Sequence, residues 1–253
     1  MYNKETICVQ GNYKPGNGEP RVLPLYQSTT FKYSSIDQLA ELFDLKVDGH
    51  IYSRISNPTI QAFEEKISLL EGGVSSVAVS SGQSANMLAV LNICKSGDSI
   101  LCSSKVYGGT FNLLGPSLKK FGIDLISFDL DSSEDEIVEL AKENTKVVFA
   151  ETLANPTLEV IDFEKIANVA KRINVPFIVD NSLASPVLCN PLKYGANIVT
   201  HSTTKYLDGH ASSVGGIIVD GGNFNWDNGK FPELVEPDPT YHGISYTQKF
   251  GNA

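Results

Sequence analysis

Six short apolar runs, rich in β-branched residues, constrain this chain more than any other feature: VSSVAVS, SILCSS, LISFDL, KVVFAET, PFIVDN and NIVTHST. Longer stretches with helical spacing, such as SANMLAVLNIC and FEKIANVAKRI, separate most of them. Apolar runs of this length are strands buried on both faces, and helices between them are the crossovers that parallel pairing requires. The pattern predicts a mostly parallel sheet in a three-layer α/β/α fold. Ligands of such sheets sit beyond the carboxyl ends of the strands, so the polar residues that follow each run are the candidates for function.

The first 60 residues differ from the rest. They are rich in Pro, Gly, Ser and Asn with few periodic apolar runs, which predicts an extended arm of the kind that reaches a partner subunit. From Ile60 onward IQAFEEKISLLEG spaces Ile60, Phe63, Ile67 and Leu70 at helical intervals and stops at Gly72 and Gly73. The expected division is therefore an arm over 1–60 and a ligand-binding domain over 61–253. With 42% hydrophobic and 19% charged residues the chain has the composition of a globular protein. A formal charge of -9 without a compensating Lys/Arg block makes nucleic acid an unsuitable partner. Residues 1–13 lack the apolar core of a secretory signal, and no run is long enough to span a membrane. Cys8, Cys94, Cys102 and Cys189 show neither metal-ligand spacing nor a local base, so they read as reduced thiols of a cytoplasmic protein, with no metal site.

Four strand ends carry chemistry. SSGQSAN at 80–86 joins a strand to a helix through small residues, so backbone N–H groups at the helix N-terminus can face an anion; alone, such a turn is more often a tight connection. FAETLANPT at 149–157 offers Glu151 and Asn155, although Asn155-Pro156 also suits a simple turn. FIVDNSLASP at 177–186 ends a strand with Asp180, which by itself suits a cap of the next segment. HSTTKYLDGH at 201–210 places Lys205 among hydroxyls at the mouth of the sheet, where an amine can lose solvation and attack an aldehyde. Together they match one cofactor: an amine for an aldehyde, a carboxylate for a pyridine nitrogen and small donors for a phosphate.

With YSRISNPT at 52–59, VYGGTF at 106–111 and VDNSLASP at 179–186, these segments resemble, from end to end, the Cys/Met-metabolism enzymes that depend on pyridoxal 5′-phosphate (PLP). The resemblance implies the aspartate aminotransferase architecture, fold type I. It also implies roles, position by position. Lys205 is the Schiff-base lysine, and Asp180 pairs with the pyridine nitrogen. Gly82 and Gln83 offer backbone N–H groups to the phosphate, Ser202 and Thr204 offer hydroxyls, and Tyr52 and Arg54 reach it from a neighbouring subunit. Tyr107 stacks on the ring and serves as an acid/base group, Asn155 bonds the phenolic oxygen, and Glu151 stands behind these contacts.

Within the family, the stretch at 221–246 resembles an insertion of O-acetylhomoserine sulfhydrylases, and Gly109 stands where methionine γ-lyases carry cysteine. The activity so implied converts O-acetyl-L-homoserine and sulfide to L-homocysteine and acetate in methionine biosynthesis, in a homotetramer whose dimers share active sites. Methionine γ-lyase and cystathionine γ-synthase share every cofactor contact named and remain alternatives, as does a non-catalytic PLP-binding fragment. Family members continue beyond FGNA into a small C-terminal domain, so the large domain is expected to be incomplete and the arginine that grips the substrate carboxylate to lie outside these residues.

Overall fold

The computed structural model describes residues 2–252. They form two compact units that meet between Lys66 and Ile67. The first holds α1 (Lys4–Gln10), α2 (Ile36–Phe43) and most of α3 (Pro58–Glu71). Where an extended arm was expected, two short helices therefore occur. The second starts because Ser35 accepts from the Gln38 N–H as an N-cap, and IDQLAELF spaces Ile36, Leu39 and Phe43 along one side.

The second unit alternates strands and helices as the apolar runs predict. In order they are β1 (Ser75–Val79), α4 (Gly82–Leu91), β2 (Ser99–Ser103), α5 (Gly108–Asn112), β3 (Asp124–Phe128), α6 (Glu134–Leu140) and β4 (Thr145–Glu151). Then follow α7 (Phe163–Arg172), β5 (Phe177–Asp180), α8 (Ser185–Leu188), β6 (Ile198–Ser202), β7 (Gly216–Asp220), α9 (Pro232–Val235) and α10 (Tyr246–Phe250). The strands form one seven-stranded sheet in the order β1-β7-β6-β5-β4-β2-β3. All neighbours are parallel except β7, which runs antiparallel to both β1 and β6. Strand β7, GIIVD, follows β6 after a glycine-containing loop with no helix between them, which is what an antiparallel return permits.

Alternation of side chains gives the sheet two buried faces. Val147, Phe149 and Ile178 join Ala89 and Val90 of α4 in one core cluster, while Val148, Ala150 and Val179 are buried on the other side. Helix α7 packs on β4 and β5 through Ile166, Val169 and Ala170. It is capped by Asp162, which accepts from the Lys165 N–H at 3.1 Å. Among the described residues no helix is long and apolar enough to cross a membrane.

Phe149 is fully buried in the middle of β4. Phe149→Ala should cost about 3–5 kcal/mol by lost burial and the cavity left behind. Urea unfolding of the two proteins measures it, and a loss below about 1 kcal/mol would mean that the core closes over the gap.

Candidate active site

The N-terminus of α4 abuts the ends of β6 and β7. A Cβ on Gly82 would lie 2.5 Å from Ser202 Cβ, and one on Gly216 would enter the backbone of Ser81. Only glycine lets the helix start this close to the sheet. Ser81 caps α4 by accepting from the Ser84 N–H at 3.1 Å. The N–H groups of Gly82 and Gln83 belong to the first turn, which no helical carbonyl satisfies. With the partial positive charge of the helix start they suit an anion.

That helix start opens on a cavity of about 270 Å³, lined by Ser81, Gly82, Gln83, Tyr107, Thr110, Glu151, Leu153, Asn155, Asp180, Ser182, Leu183, Ser202, Thr204 and Lys205. Eight of the residues that the motifs single out, Gly82, Gln83, Tyr107, Asn155, Asp180, Ser202, Thr204 and Lys205, thus share one space. Tyr52 and Arg54 lie in the first unit, where Tyr52 bridges to Thr30 and the Arg54 guanidinium stands 5.3 Å from the centre of the Tyr52 ring.

Several of the polar groups have a definite hold. Asp180 Oδ1 accepts from the Ser182 N–H at 3.0 Å and hydroxyl at 2.5 Å, so this residue caps its own turn. Its Oδ2 accepts from Asn86 Nδ2 at 2.9 Å. The Thr204 hydroxyl accepts from the Gly215 N–H at 3.1 Å, fixing the loop that carries Lys205. The Tyr107 N–H donates to Glu151 Oε1 at 2.8 Å. In its present rotamer the Tyr107 ring lies over Gly109, where a Cβ would meet it. Cys94, pushed up to about 12 chiefly by burial, and Cys102, raised by burial, are unsuited to act as thiolates.

Glu151 matters more than its motif suggests. It pairs with Asp180 across β4 and β5, and both carboxylates line the cavity. Burial, reinforced by the Asp180 charge, pushes the Glu151 carboxyl up to about 8 against the pull of its bonds to Tyr107 and Thr110. Sequence singled out Glu151 but passed over Thr110, Ser182 and Asn86. The one signal available was position, since Ser182 lies two residues after Asp180 and Asn86 one helical turn after Gly82.

The donor set fits PLP. The Gly82 cradle and the Ser202 hydroxyl suit its phosphate, Asp180 a ring N–H, Lys205 an aldehyde and Tyr107 an aromatic face. Residues 5–235 match the sequence family of Cys/Met metabolism PLP-dependent enzymes. The chain is a member of that family. It is 46% identical to the O-acetyl-L-homoserine sulfhydrylase of Leptospira meyeri over 251 residues, 99% of this chain and 57% of that protein. It is 42% identical to the homocysteine/cysteine synthase of Saccharomyces cerevisiae over 247 residues, 96% and 55% of the two. A crystal structure of a Campylobacter jejuni protein assigned as an O-acetylhomoserine (thiol)-lyase superposes with a TM-score of 0.93 at 35% identity, over 98% of this chain and 62% of that one. That structure carries an N′-pyridoxyl-lysine-5′-monophosphate at its position 205. This Cys/Met-metabolism chain therefore spans little more than half the length of these curated relatives, with the cofactor-type cavity inside the shared part.

The raised Glu151 carboxyl makes stability depend on pH. Below the ordinary carboxyl range both folded and unfolded chains hold the proton and the preference costs nothing; as pH climbs toward 8 the unfolded chain gives the proton up first, and stability falls. Glu151→Gln keeps an acceptor for Tyr107 and removes the titration. Its melting temperature should exceed the wild type's by an amount that grows from acidic pH to pH 8, on the scale of roughly 2–4 °C per kcal/mol. A difference that stays flat over that range would show that Glu151 ionises normally.

Proposed function

We propose that this chain is the cofactor-binding part of an O-acetylhomoserine sulfhydrylase, which joins O-acetyl-L-homoserine and sulfide to give L-homocysteine and acetate. The observation that carries the reading is the single cavity that gathers Lys205, Asp180, Tyr107, Asn155 and the Gly82 helix start. The names of the relatives support the choice of substrate.

In this reading Lys205 holds the cofactor through its amine, and Asp180 accepts a hydrogen bond from the ring nitrogen. Gly82, Gln83, Ser202 and Thr204 hold the phosphate, Asn155 bonds the phenolic oxygen, and Tyr107 covers the ring. Tyr52 and Arg54 of a neighbouring copy reach the same phosphate, in a tetramer built from dimers, in the cytoplasm. When bound, PLP supplies a ring that withdraws electrons from the substrate Cα. Once the substrate amine displaces Lys205, its Nζ would take the proton from Cα and then one from Cβ as acetate leaves, and after sulfide has added it would return protons to Cβ and Cα, acting as a positioned general base and acid. Tyr107, at the open side of the cavity, exchanges the proton of the incoming amine. Acetate leaves from Cγ, and the sulfide sulfur bonds to the same carbon. Gly109, where methionine γ-lyases carry cysteine, supports the sulfhydrylase assignment.

The purified protein should be yellow and lose that band on borohydride reduction, with the pyridoxyl adduct on Lys205 by peptide mapping. Lys205→Ala should lower homocysteine formation by more than about 10²-fold. A wild-type protein that cannot be reconstituted with PLP sinks the cofactor assignment. Methionine cleavage faster than sulfhydrylation would move the chain to the γ-lyases.

A further inference from the structure

Behind Asp180 lies a buried contact that no motif announces. Asn86, in the second turn of α4, donates from Nδ2 to Asp180 Oδ2 at 2.9 Å. Its Oδ1 accepts from the Thr200 hydroxyl at 2.5 Å. Asp180 and Thr200 are cross-strand partners of β5 and β6, so one amide spans both strand ends. Asn86 and Thr200 have no exposed surface; water cannot replace either partner.

The direction of this chain follows from the groups available. An ionised carboxylate only accepts, so it draws the NH₂ end of the amide, and the carbonyl end then needs a donor, which a threonine hydroxyl supplies. The other oxygen of Asp180 is held by Ser182, two residues away in its own turn. The Asn86 contact is different in kind: it comes from α4, whose first turn presents the Gly82 and Gln83 N–H groups. The same short helix therefore fixes the anion cradle and the carboxylate relative to each other.

We propose that Asn86 is a positioning residue for Asp180, tied to Thr200, which sets the carboxylate at a fixed distance from the anion cradle so that phosphate and ring nitrogen of one cofactor meet both. The proposal rests on the PLP reading above. Asn86 itself touches neither cofactor nor substrate in it. The amide acts by holding one oxygen of Asp180 turned away, leaving the carboxylate edge that faces the cavity to the ring nitrogen.

The test uses the protein loaded with PLP labelled with ¹⁵N in the ring, comparing wild type, Asn86→Leu and Thr200→Val. Asn86→Leu keeps the shape and removes the donor. It should bind PLP about 10- to 100-fold more weakly, the range for one hydrogen bond to a charged group. Its ring ¹⁵N resonance should move toward the value of a neutral pyridine and titrate where the wild type does not. Thr200→Val, the milder change, leaves the amide unheld and should move the resonance in the same direction by less. A wild-type resonance and pH profile in Asn86→Leu, whatever its melting temperature, overturns the proposal, because a merely structural residue alters stability alone. If Asn86→Leu does not fold, an unshifted resonance in Thr200→Val overturns it instead. Failure of the cofactor reading is separately visible, since the unsubstituted protein would then take up no PLP and carry no adduct on Lys205, and the proposal would fall with it.

Discussion

Helix α4 lies so near the ends of β6 and β7 that neither Gly82 nor Gly216 has room for a methyl group. This contact sets the geometry of the whole cavity. It brings first-turn N–H groups to the sheet, where they are dipole-rich and without helical partners. It also brings Asn86, four residues on, over the ends of β5 and β6. A side chain at either glycine would push the helix outward, and cradle and carboxylate would lose their common frame together.

The opposite face of the same strand ends is held by a second buried set. Glu71 at the end of α3 accepts from Asn181 at 2.9 Å and Asn190 at 3.2 Å, and pairs with His201 Nε2 at 2.7 Å. Asn181 follows Asp180, and His201 precedes Ser202. Each strand end thus presents one residue to the cavity and the next to the Glu71 network, as side-chain alternation requires. Among the described residues His201 Nδ1 has no partner; the tautomer with its proton on Nε2 satisfies Glu71 and leaves only a bare lone pair behind. Buried polar groups joined this way resist small shifts because every member would lose a partner that water cannot replace.

The strands that carry the site were legible because burial on both faces writes itself as continuous β-branched runs. The residues at their ends were legible because ligands of parallel sheets collect there. Strand β7 was not, since GIIVD carries no local mark of whether it will pair parallel or antiparallel. Helix α2 hid in a Pro- and Gly-rich stretch because the composition of the whole segment outweighed one capped turn. In sequence Glu151 only stands behind the cofactor contacts, and Asn86 is not singled out. The first depends on its alignment with Asp180 across two strands, the second on a contact between residues 94 positions apart.

The placement of charge across the sheet decides how a ligand must enter. From β6 toward β4 the cavity passes from the glycine cradle at Gly82, which lies against Ser202, through Asp180, to Glu151. Neighbouring strands lie about 4.8 Å apart, so the anion-seeking end and the acidic end are separated by roughly 10 Å. A ligand with a phosphate at one end and a protonated ring nitrogen further along matches this gradient. Reversed, it would set its phosphate against the Asp180 carboxylate in a partly desolvated site, where like charges repel far more than in water. Asp180 therefore excludes the wrong orientation as well as welcoming the right one. A chain with net charge of -9 can hold an anionic cofactor because the field that matters is local, made by one helix start rather than by the sum of its side chains.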